Sequence, residues 1–354
     1  MTTIVDGRGL PVTVPAVPQG VLSGTTFGDY LESTHAPQFL RWMGERRWRS
    51  WFKDTVPAWI YSELLDDRYW TGTHNFEAIL ARDTPGALYF NKIWIAGDVY
   101  DADDLRRFGL MAVNTGPDNI PRKEFPAVLE KLGLTEQEYD ERHRLFASIR
   151  VTNAALNQAG FGEQVVARYE RERDELLSSL RAETIAEEDR PYVMGFGAPS
   201  EDWSRIWVNS GDELRLGFRD AAKRHRATGR EQDAERILAM NPDVVLGPSL
   251  ETLANDPRWR GLDAVLSRRV YASNPAFCGR SGDLDNIPAC ARWRAEIVHP
   301  DRLSPGTRQA IREHYRESYG ALFEISEEQI DTLLRVEDNR HAQGYERFMR
   351  EAAK

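Results

Sequence analysis

Cysteine, long apolar runs and basic charge are all scarce in this sequence, and each shortage excludes a class of protein. Its two cysteines, Cys278 and Cys290, lie twelve positions apart with no second pair, which excludes a zinc site built from paired cysteines. They form a disulfide if the protein is exported, or serve as small core residues if it is not. No run approaches the roughly 18 apolar residues of a membrane span. With 46 basic and 56 acidic residues, the net charge of −10 argues against nucleic acid or an anionic membrane as the main partner.

Two further kinds of signal are missing. The first ten residues, MTTIVDGRGL, have neither the basic start nor the apolar core of a signal peptide, so either the protein acts in the cytoplasm or its leader is absent from this sequence. The chain also lacks a G-x-S-x-G elbow, a Walker loop and an H-E-x-x-H motif, and its seven histidines are scattered. We therefore predict no catalytic residues, no bound metal and no cofactor.

What is present indicates a globular protein with two lobes. The 354 residues are enough for two substantial cores, and 41% hydrophobic with 29% charged residues is typical of a folded domain. Near the middle, residues 163–180 have the spacing of one amphipathic helix. Its apolar stripe consists of Val165, Val166, Tyr169, Leu176, Leu177 and Leu180. Gly160 and Gly162 are predicted to break the preceding helix, which we expect within residues 122–158.

Similar sequence lies on both sides of this helix. Residues 75–81 (NFEAILA) and 233–239 (DAERILA) are each followed by a proline and then by an apolar strand, at 87–90 and 244–246. The glutamates of the two copies, Glu77 and Glu235, are 158 positions apart. We interpret the pair as an internal duplication, one copy per lobe. The alternative is a chance match of common helix vocabulary.

Candidate ligand contacts are the residues at predicted strand ends, because open α/β sheets bind ligands at the carboxyl ends of their strands. In the first lobe these are Ser23 and Thr25 after a strand at 20–24, and Lys92 and Trp94 after the strand at 87–90. A tight turn that caps the next helix is the alternative for 23–26. Between them, residues 30–70 hold five of the ten tryptophans together with five arginines, which either bind a planar or anionic ligand or fill a satellite core.

The second lobe offers a basic and aromatic set at the same kind of position. Its predicted contacts are Phe196, Trp203, Arg205, Trp207, Phe277 and Arg280. Arginines beside aromatic rings suit a bulky anionic ligand, since guanidinium groups bind carboxylates in pairs of hydrogen bonds and apolar parts lie on rings.

Several phrases make the chain resemble the helical-backbone (class III) substrate-binding proteins of ABC importers for iron–siderophores, haem and cobalamin. They are NFEAILA (75–81), DAERILAMNPDVVL (233–246), DPRWRGLDAVLSRRVY (256–271), WRAEIVHPD (293–301) and, near the C-terminus, YRESYG with ISEEQIDTLL (315–334). The resemblance spans roughly residues 15–335, and residues 30–70 depart from the family pattern.

The resemblance implies an α/β fold of two Rossmann-like lobes with mostly parallel sheets joined by one long rigid helix. The lobes would be residues 1–160 and 188–354, with 161–187 as the linking helix. It further implies a monomer outside the cytoplasm, periplasmic or lipid-anchored, that holds a metal chelate between its lobes. A ferric siderophore is the expected ligand and an importer permease the expected partner, contacted by Glu77 and Glu235. For these two residues, stabilisation of a helix start is the alternative role.

Two other functions remain open at this point. One is a haem- or corrinoid-binding protein of the same fold. The other is a cytoplasmic α/β enzyme acting on a small anionic substrate, which would account for the missing signal peptide, although no nucleophile and base can be paired from the sequence.

Overall fold

The computed structural model describes most of the second half of the chain and parts of the first. The described residues are 1–17, 20–23, 40–42, 44–45, 70–71, 87–90, 93–95, 98–100, 102–107, 109–114, 125–133, 135, 144–199, 205–209, 216–227, 230–273, 275–278, 288–319 and 324–350. By their contacts the residues divide into two compact units, Met1–Arg168 and Tyr169–Lys354. Within the described ranges, no helix is both long and apolar enough to cross a membrane.

The first unit begins with a β-hairpin that a charged turn stabilises. Strands β1 (Thr2–Val5) and β2 (Pro11–Val14) pair antiparallel. In the turn between them, Asp6 accepts hydrogen bonds from the backbone N–H groups of Arg8 (2.9 Å) and Leu10 (3.1 Å). The buried Arg8 guanidinium also pairs with Asp6 and with Asp103 of helix α1 (Ala102–Arg107). The hairpin is therefore attached to the unit through a shared arginine.

A parallel sheet forms the centre of the first unit. Its order is β10–β7–β3–β4, with β3 at Gly20–Ser23, β4 at Leu40–Trp42, β7 at Ala87–Phe90 and β10 at Ala112–Val113. All three pairings are parallel. Two short ladders lie outside it, β5 (Gly44–Glu45) with β6 (Trp70–Thr71) and β8 (Ile93–Ile95) with β9 (Asp98–Tyr100). The strands predicted at 20–24 and 87–90 are confirmed.

The predicted helix break at Gly160 and Gly162 is wrong. Helices α2 (Phe125–Leu132) and α3 (Arg144–Ala155) precede the long helix α4, which spans Ala159–Leu180 and so contains both glycines. The chain turns instead at Asn157, whose φ of 59° ends α3 in the left-handed conformation that asparagine tolerates. Gly162 has a packing role: a Cβ there would lie 2.7 Å from the Cβ of Asn153 on α3.

Helix α4 confirms the predicted apolar stripe except at Leu177, which is only half-buried. Val165, Val166, Tyr169, Leu176 and Leu180 are all at most 4% exposed, while Arg171, Asp174 and Glu175 are exposed. Its 22 residues give a length of roughly 33 Å at 1.5 Å per residue. The division between the two compact units falls within this helix.

The second unit is built on a mixed sheet of six strands. Its order is β14–β12–β11–β15–β16, with β13 also paired to β11. The strands are β11 (Tyr192–Pro199), β12 (Arg205–Asn209), β13 (Arg219–Asp220), β14 (Arg230–Asp233), β15 (Val244–Gly247) and β16 (Val270–Ala272). Strands β13, β15 and β16 run parallel to their neighbours, whereas β12 pairs antiparallel with both β11 and β14.

Short helices cover this sheet. They are α5 (Ala221–Arg224), α6 (Ala234–Met240), α7 (Leu250–Asn255), α8 (Asp263–Leu266), α9 (Pro275–Cys278) and α10 (Pro288–Val298). A core cluster forms between sheet and helices, and Trp259 is its fully buried aromatic residue. The predicted order of helix, proline and buried strand is confirmed in this copy of the repeat, as α6, Pro242 and β15.

The C-terminal segment closes the edge strand β16. Helices α11 (Thr307–Tyr319), α12 (Glu327–Leu333) and α13 (Val336–Asn339) follow in turn. The buried Asn339 amide group both accepts from Ala272 N–H (2.6 Å) and donates to Ala272 C=O (2.9 Å). Because one side chain satisfies both groups, this end of β16 has no free edge to pair with another chain.

Candidate functional site

In the first unit, the strands that precede two predicted contact segments end side by side. Ser23, the last residue of β3, is in register with Phe90, the last residue of β7, and the strands are parallel. In the sequence, Lys92 and Trp94 come two and four positions after Phe90, and Trp94 lies in β8, opposite Val99 of β9. The sheet therefore brings the ends of both predicted contact segments to one edge. Thr25 and Lys92 themselves lie outside the described residues.

In the second unit, the carboxyl ends of three parallel strands form a similar edge. Strand β11 ends at Pro199, β15 at Gly247 and β16 at Ala272, and Gly247 is in register with Ala272. Gly247 has a φ of 127°, and a Cβ there would overlap the carbonyl oxygen of Phe196. Only glycine fits at this end of β15 because the backbones of β11 and β15 approach so closely.

The antiparallel strand β12 starts at this same edge. Its second residue, Ile206, is opposite Pro199 at the end of β11, and its first residue, Arg205, is opposite Asp233 at the end of β14. Trp207 follows two positions later, opposite Glu231. The topology thus brings Arg205 to the edge at which the parallel strands end, as the ligand assignment requires. Trp203 and Arg280 lie outside the described residues.

The two phenylalanines of the predicted set are core residues in this structure. Phe196 is 6% exposed and packs edge-on against Trp259, with ring centroids 6.1 Å apart. Phe277 is 3% exposed and packs edge-on against Trp293 at 6.4 Å. Packing alone accounts for both rings, so their contact with a ligand stays a prediction.

A disulfide joins the elements that flank the predicted contact Arg280. Cys278, the last residue of α9, is bonded to Cys290 in the first turn of α10, and their Cα atoms are 5.4 Å apart. Both cysteines are buried, at 1% and 0% exposure. The sequence left open whether this bond forms, because spacing alone does not determine the distance between two cysteines.

The residues that follow β15 are a further candidate contact segment, which the sequence-based prediction did not include. Residues 247–249 (GPS) follow the strand, and Ser249 caps helix α7 by accepting from the N–H of Thr252 at 3.2 Å. The rule applied to the other strands, that ligands bind at carboxyl ends, was sufficient to find it.

Of the two predicted docking glutamates, the structure describes Glu235. It is exposed in the first turn of α6, which follows β14 directly and is capped by Asp233 through a 2.8 Å bond from the N–H of Arg236. Glu235 is therefore accessible at the carboxyl edge of the second sheet. Glu77 lies outside the described residues.

Several titratable groups of this unit have clearly shifted pKa values. Burial raises the pKa of Tyr271, which lies in β16 directly before its last residue, Ala272. His299, at the far end of α10 from Cys290, is buried, and burial together with Arg302 and Arg269 lowers its pKa to about 4 although its Nε2 is hydrogen-bonded to Leu216 C=O (2.9 Å). In the described part of the chain, no group of three or more His, Cys, Asp or Glu side chains is placed to hold a metal ion.

The architecture defines the chain's fold. The predicted α/β class is confirmed. One unit has a parallel sheet and the other a mostly parallel sheet, and a long helix follows the first sheet and precedes the second along the chain. Solved periplasmic solute-binding proteins have a similar fold.

Solved structures carry the same fold over nearly the whole chain. A periplasmic solute-binding protein from Veillonella parvula is 14% identical at a TM-score of 0.66, with 96% of this chain and 98% of that one covered. The Haemophilus influenzae molybdate-binding protein MolA, solved with molybdate, is 15% identical at 0.66, with 92% and 99% covered. The Bacillus subtilis petrobactin-binding protein YclQ is 15% identical at 0.54, with 84% and 98% covered. No known protein-family model and no curated protein matches the sequence.

Proposed function

We propose that the chain is an extracytoplasmic substrate-binding protein that captures a metal chelate and delivers it to the permease of an ABC importer. The observation that carries this proposal is the fold match of 96% of the chain to 98% of a periplasmic solute-binding protein. A match of that extent includes both sheets and the long helix. Each of the compared structures is that of a binding protein.

The ligand should be anionic. Arg205 is the first residue of β12 and lies at the edge where β11, β15 and β16 end. The sequence also places Arg280 and Lys92 near other strand ends. Ferric siderophores present carboxylate, hydroxamate or catecholate oxygens that guanidinium groups bind through paired hydrogen bonds. A ferric siderophore is therefore the first ligand to test, with haem and corrinoids next.

A small oxyanion is the second candidate. The molybdate-bound MolA superimposes with a TM-score of 0.66, against 0.54 for the petrobactin-binding protein. The same basic groups would bind either ligand, but an oxyanion would not need the aromatic residues. Molybdate therefore belongs in any ligand panel.

Location outside the cytoplasm is supported by the disulfide. Bonds of this kind persist in oxidising compartments and are rare in the cytoplasm. The resemblance of several sequence phrases to importer-associated binding proteins and the exposed Glu235 support a permease as the partner. We propose a monomer, since one chain supplies both units of the fold.

The test is a titration followed by intrinsic tryptophan fluorescence. The panel consists of ferric citrate, a ferric hydroxamate, a ferric catecholate, haemin, cobalamin and molybdate. We expect saturable quenching by one member at micromolar concentration or below, which identifies the ligand class. If no member of the panel gives a response in fluorescence or in calorimetry, the result would contradict a binding protein for these classes of ligand. Turnover of a chelate or ester by the pure protein would favour the α/β enzyme instead.

Arg280→Ala tests the basic part of the site. We expect a loss of about 1.5–3 kcal/mol in binding free energy for an anionic ligand, because a hydrogen bond to a charged group is lost. The measurement is the dissociation constant by calorimetry, with Arg260→Ala as the control, since that exposed arginine donates its Nε to the backbone C=O of Ala254. Equal affinities of wild type and Arg280→Ala would remove Arg280 from the site.

A further inference from the structure

A wholly buried carboxyl group holds the connection between helices α10 and α11. Glu296 lies on α10 and is 0% exposed. Its Oε1 accepts from Arg292 Nε at 2.8 Å and from the backbone N–H of Gly306 at 2.9 Å. One oxygen of the carboxyl group therefore joins α10 to the residue that directly precedes α11.

Arg347, from the C-terminal segment, covers the same connection. Its Nη1 donates to the C=O groups of Glu296 (3.1 Å) and Pro300 (2.9 Å), and its Nη2 donates to Leu303 C=O. Three parts of the chain thus meet around Glu296: helix α10, the turn that leads to α11 and the segment that carries Arg347.

Three buried polar atoms of this cluster have no hydrogen-bond partner among the described residues. They are Glu296 Oε2, Thr307 Oγ1 and Arg347 Nε. Thr307 is 1% exposed and follows Gly306 directly, so its hydroxyl belongs to the same cluster. Burial raises the pKa of Glu296, whereas Arg292 and then the Thr307 hydroxyl act against that shift. Because a buried polar atom without a partner has lost its hydration and gained nothing, each of the three needs a partner.

The chemistry of the three atoms fits one water molecule. The Glu296 carboxylate oxygen only accepts hydrogen bonds, the Arg347 Nε–H only donates, and the Thr307 hydroxyl does either. Water donates two hydrogen bonds and accepts two, and a buried water typically makes about three. A cation could not accept from the guanidinium group, and an anion would be repelled by the carboxylate. Water therefore suits this set of atoms better than an ion of either sign.

We propose that Glu296 Oε2, Thr307 Oγ1 and Arg347 Nε together bind a single internal water molecule, which connects α10, the start of α11 and the C-terminal segment. The water donates to the carboxylate oxygen, accepts from the guanidinium N–H and forms its third bond with the hydroxyl. None of these residues belongs to the predicted ligand contacts, so the inference does not depend on the proposed binding function.

The test is a high-resolution crystal structure of the wild type, in which we expect a water about 2.7–3.2 Å from each of the three atoms. Thr307→Val has nearly the same shape and removes the hydroxyl, and Thr307→Ser, the matched control, keeps it. We expect the water to be lost in Thr307→Val and retained in Thr307→Ser. The readout is the water itself, because Thr307→Ser also removes a buried methyl group and changes stability for that reason.

Oxygen-17 relaxation dispersion, which counts long-lived internal waters in solution, should find one fewer in Thr307→Val than in wild type or Thr307→Ser. Equal counts in wild type and Thr307→Val would overturn the inference. A direct bond between Glu296 Oε2 and Thr307 Oγ1 in the crystal structure, or an ion at the position of the water, would overturn it as well. Should Thr307→Val not fold, the wild-type crystal structure alone decides, since it shows either the water with its three contacts or one of these alternatives.

Discussion

At the scale of single residues, His299 shows how burial converts an ordinary histidine into a neutral core residue. Its ring lies beside Gly217, where an added Cβ would be 2.5 Å from Ile185 Cδ1 and 3.4 Å from His299 Nε2. The charged groups that act on it are Arg302 and Arg269, both positive. On the adjoining segments, Arg181 and Glu183 are exposed, and Arg219 donates its Nε to Arg190 C=O. Protonation would place a third positive charge in this tight space.

This environment predicts acid sensitivity of folding. The unfolded chain binds a proton at His299 near pH 6.5, whereas the folded chain does so only near pH 4, so the free energy of unfolding should fall as pH drops between these values. A shift of this size corresponds to about 3 kcal/mol. The measurement is urea unfolding at pH 7.5, 5.5 and 4.5, with His299→Gln as the non-titrating control. Parallel pH profiles for wild type and His299→Gln would contradict the prediction.

Single positions could be predicted from the sequence only where a local pattern determined them. Burial of Val165 and Leu176 followed from helical spacing. The roles of Phe196 and Phe277 did not follow, because an aromatic residue near a strand end has the same sequence pattern whether it faces a ligand or packs in the core.

At the scale of elements, the junction of α3 and α4 depends on two glycines that look alike in the sequence. Gly162 lies against buried Asn153, whose Nδ2 donates to Ile149 C=O at 2.9 Å, whereas an added Cβ at Gly160 meets nothing within 4 Å. Gly162 permits close packing of α4 against α3, whereas Gly160 is an ordinary helical position.

The two glycines should therefore respond in opposite directions to alanine. Gly162→Ala forces Asn153 away from α4 and should destabilise the fold by about 1–3 kcal/mol, the usual cost of overpacking. Gly160→Ala, its matched control, should stabilise by up to about 1 kcal/mol through helix propensity. Thermal and urea unfolding of both variants give the comparison. A shift of the same sign in both would mean that the contact with Asn153 does not limit the packing.

Elements were predicted well where their signal was local. The strands predicted at 20–24, 87–90 and 244–246 are present at Gly20–Ser23, Ala87–Phe90 and Val244–Gly247, and the helix predicted at 163–180 lies within Ala159–Leu180. The antiparallel direction of β12 was not predicted, because strand direction depends on partners far along the chain. The order of strands in the second sheet was not predicted for the same reason.

At the scale of the whole molecule, the proposed delivery function requires a partner to recognise a surface on each unit. The family resemblance and the internal repeat predict this role for Glu77 and Glu235, and Glu235 is exposed at a capped helix start. A first-turn glutamate also stabilises its own helix, so docking and helix stability must be separated by experiment.

Glu77→Ala combined with Glu235→Ala should leave ligand affinity intact and abolish uptake, because charge-assisted pairs to the permease are lost while the ligand site is unchanged. The measurement is uptake of labelled ligand into vesicles that contain the permease, alongside calorimetry of the free protein. Glu251→Ala is the control, since Glu251 is likewise an exposed first-turn glutamate. Normal uptake by the double variant would refute the docking assignment, and a loss caused equally by Glu251→Ala would point to helix stability.

The sequence by itself determined the class of fold, the long helix and the second copy of the repeat. Helical periodicity indicated the helix, the shared proline position indicated the repeat, and short sequence motifs indicated the class of fold. Tertiary structure alone decided the disulfide between Cys278 and Cys290, the overlap that requires glycine at 247, and the burial of Phe196 and Phe277. These features depend on distances between separate elements of the fold. Such distances are set when whole elements pack, and no local pattern of residues encodes them.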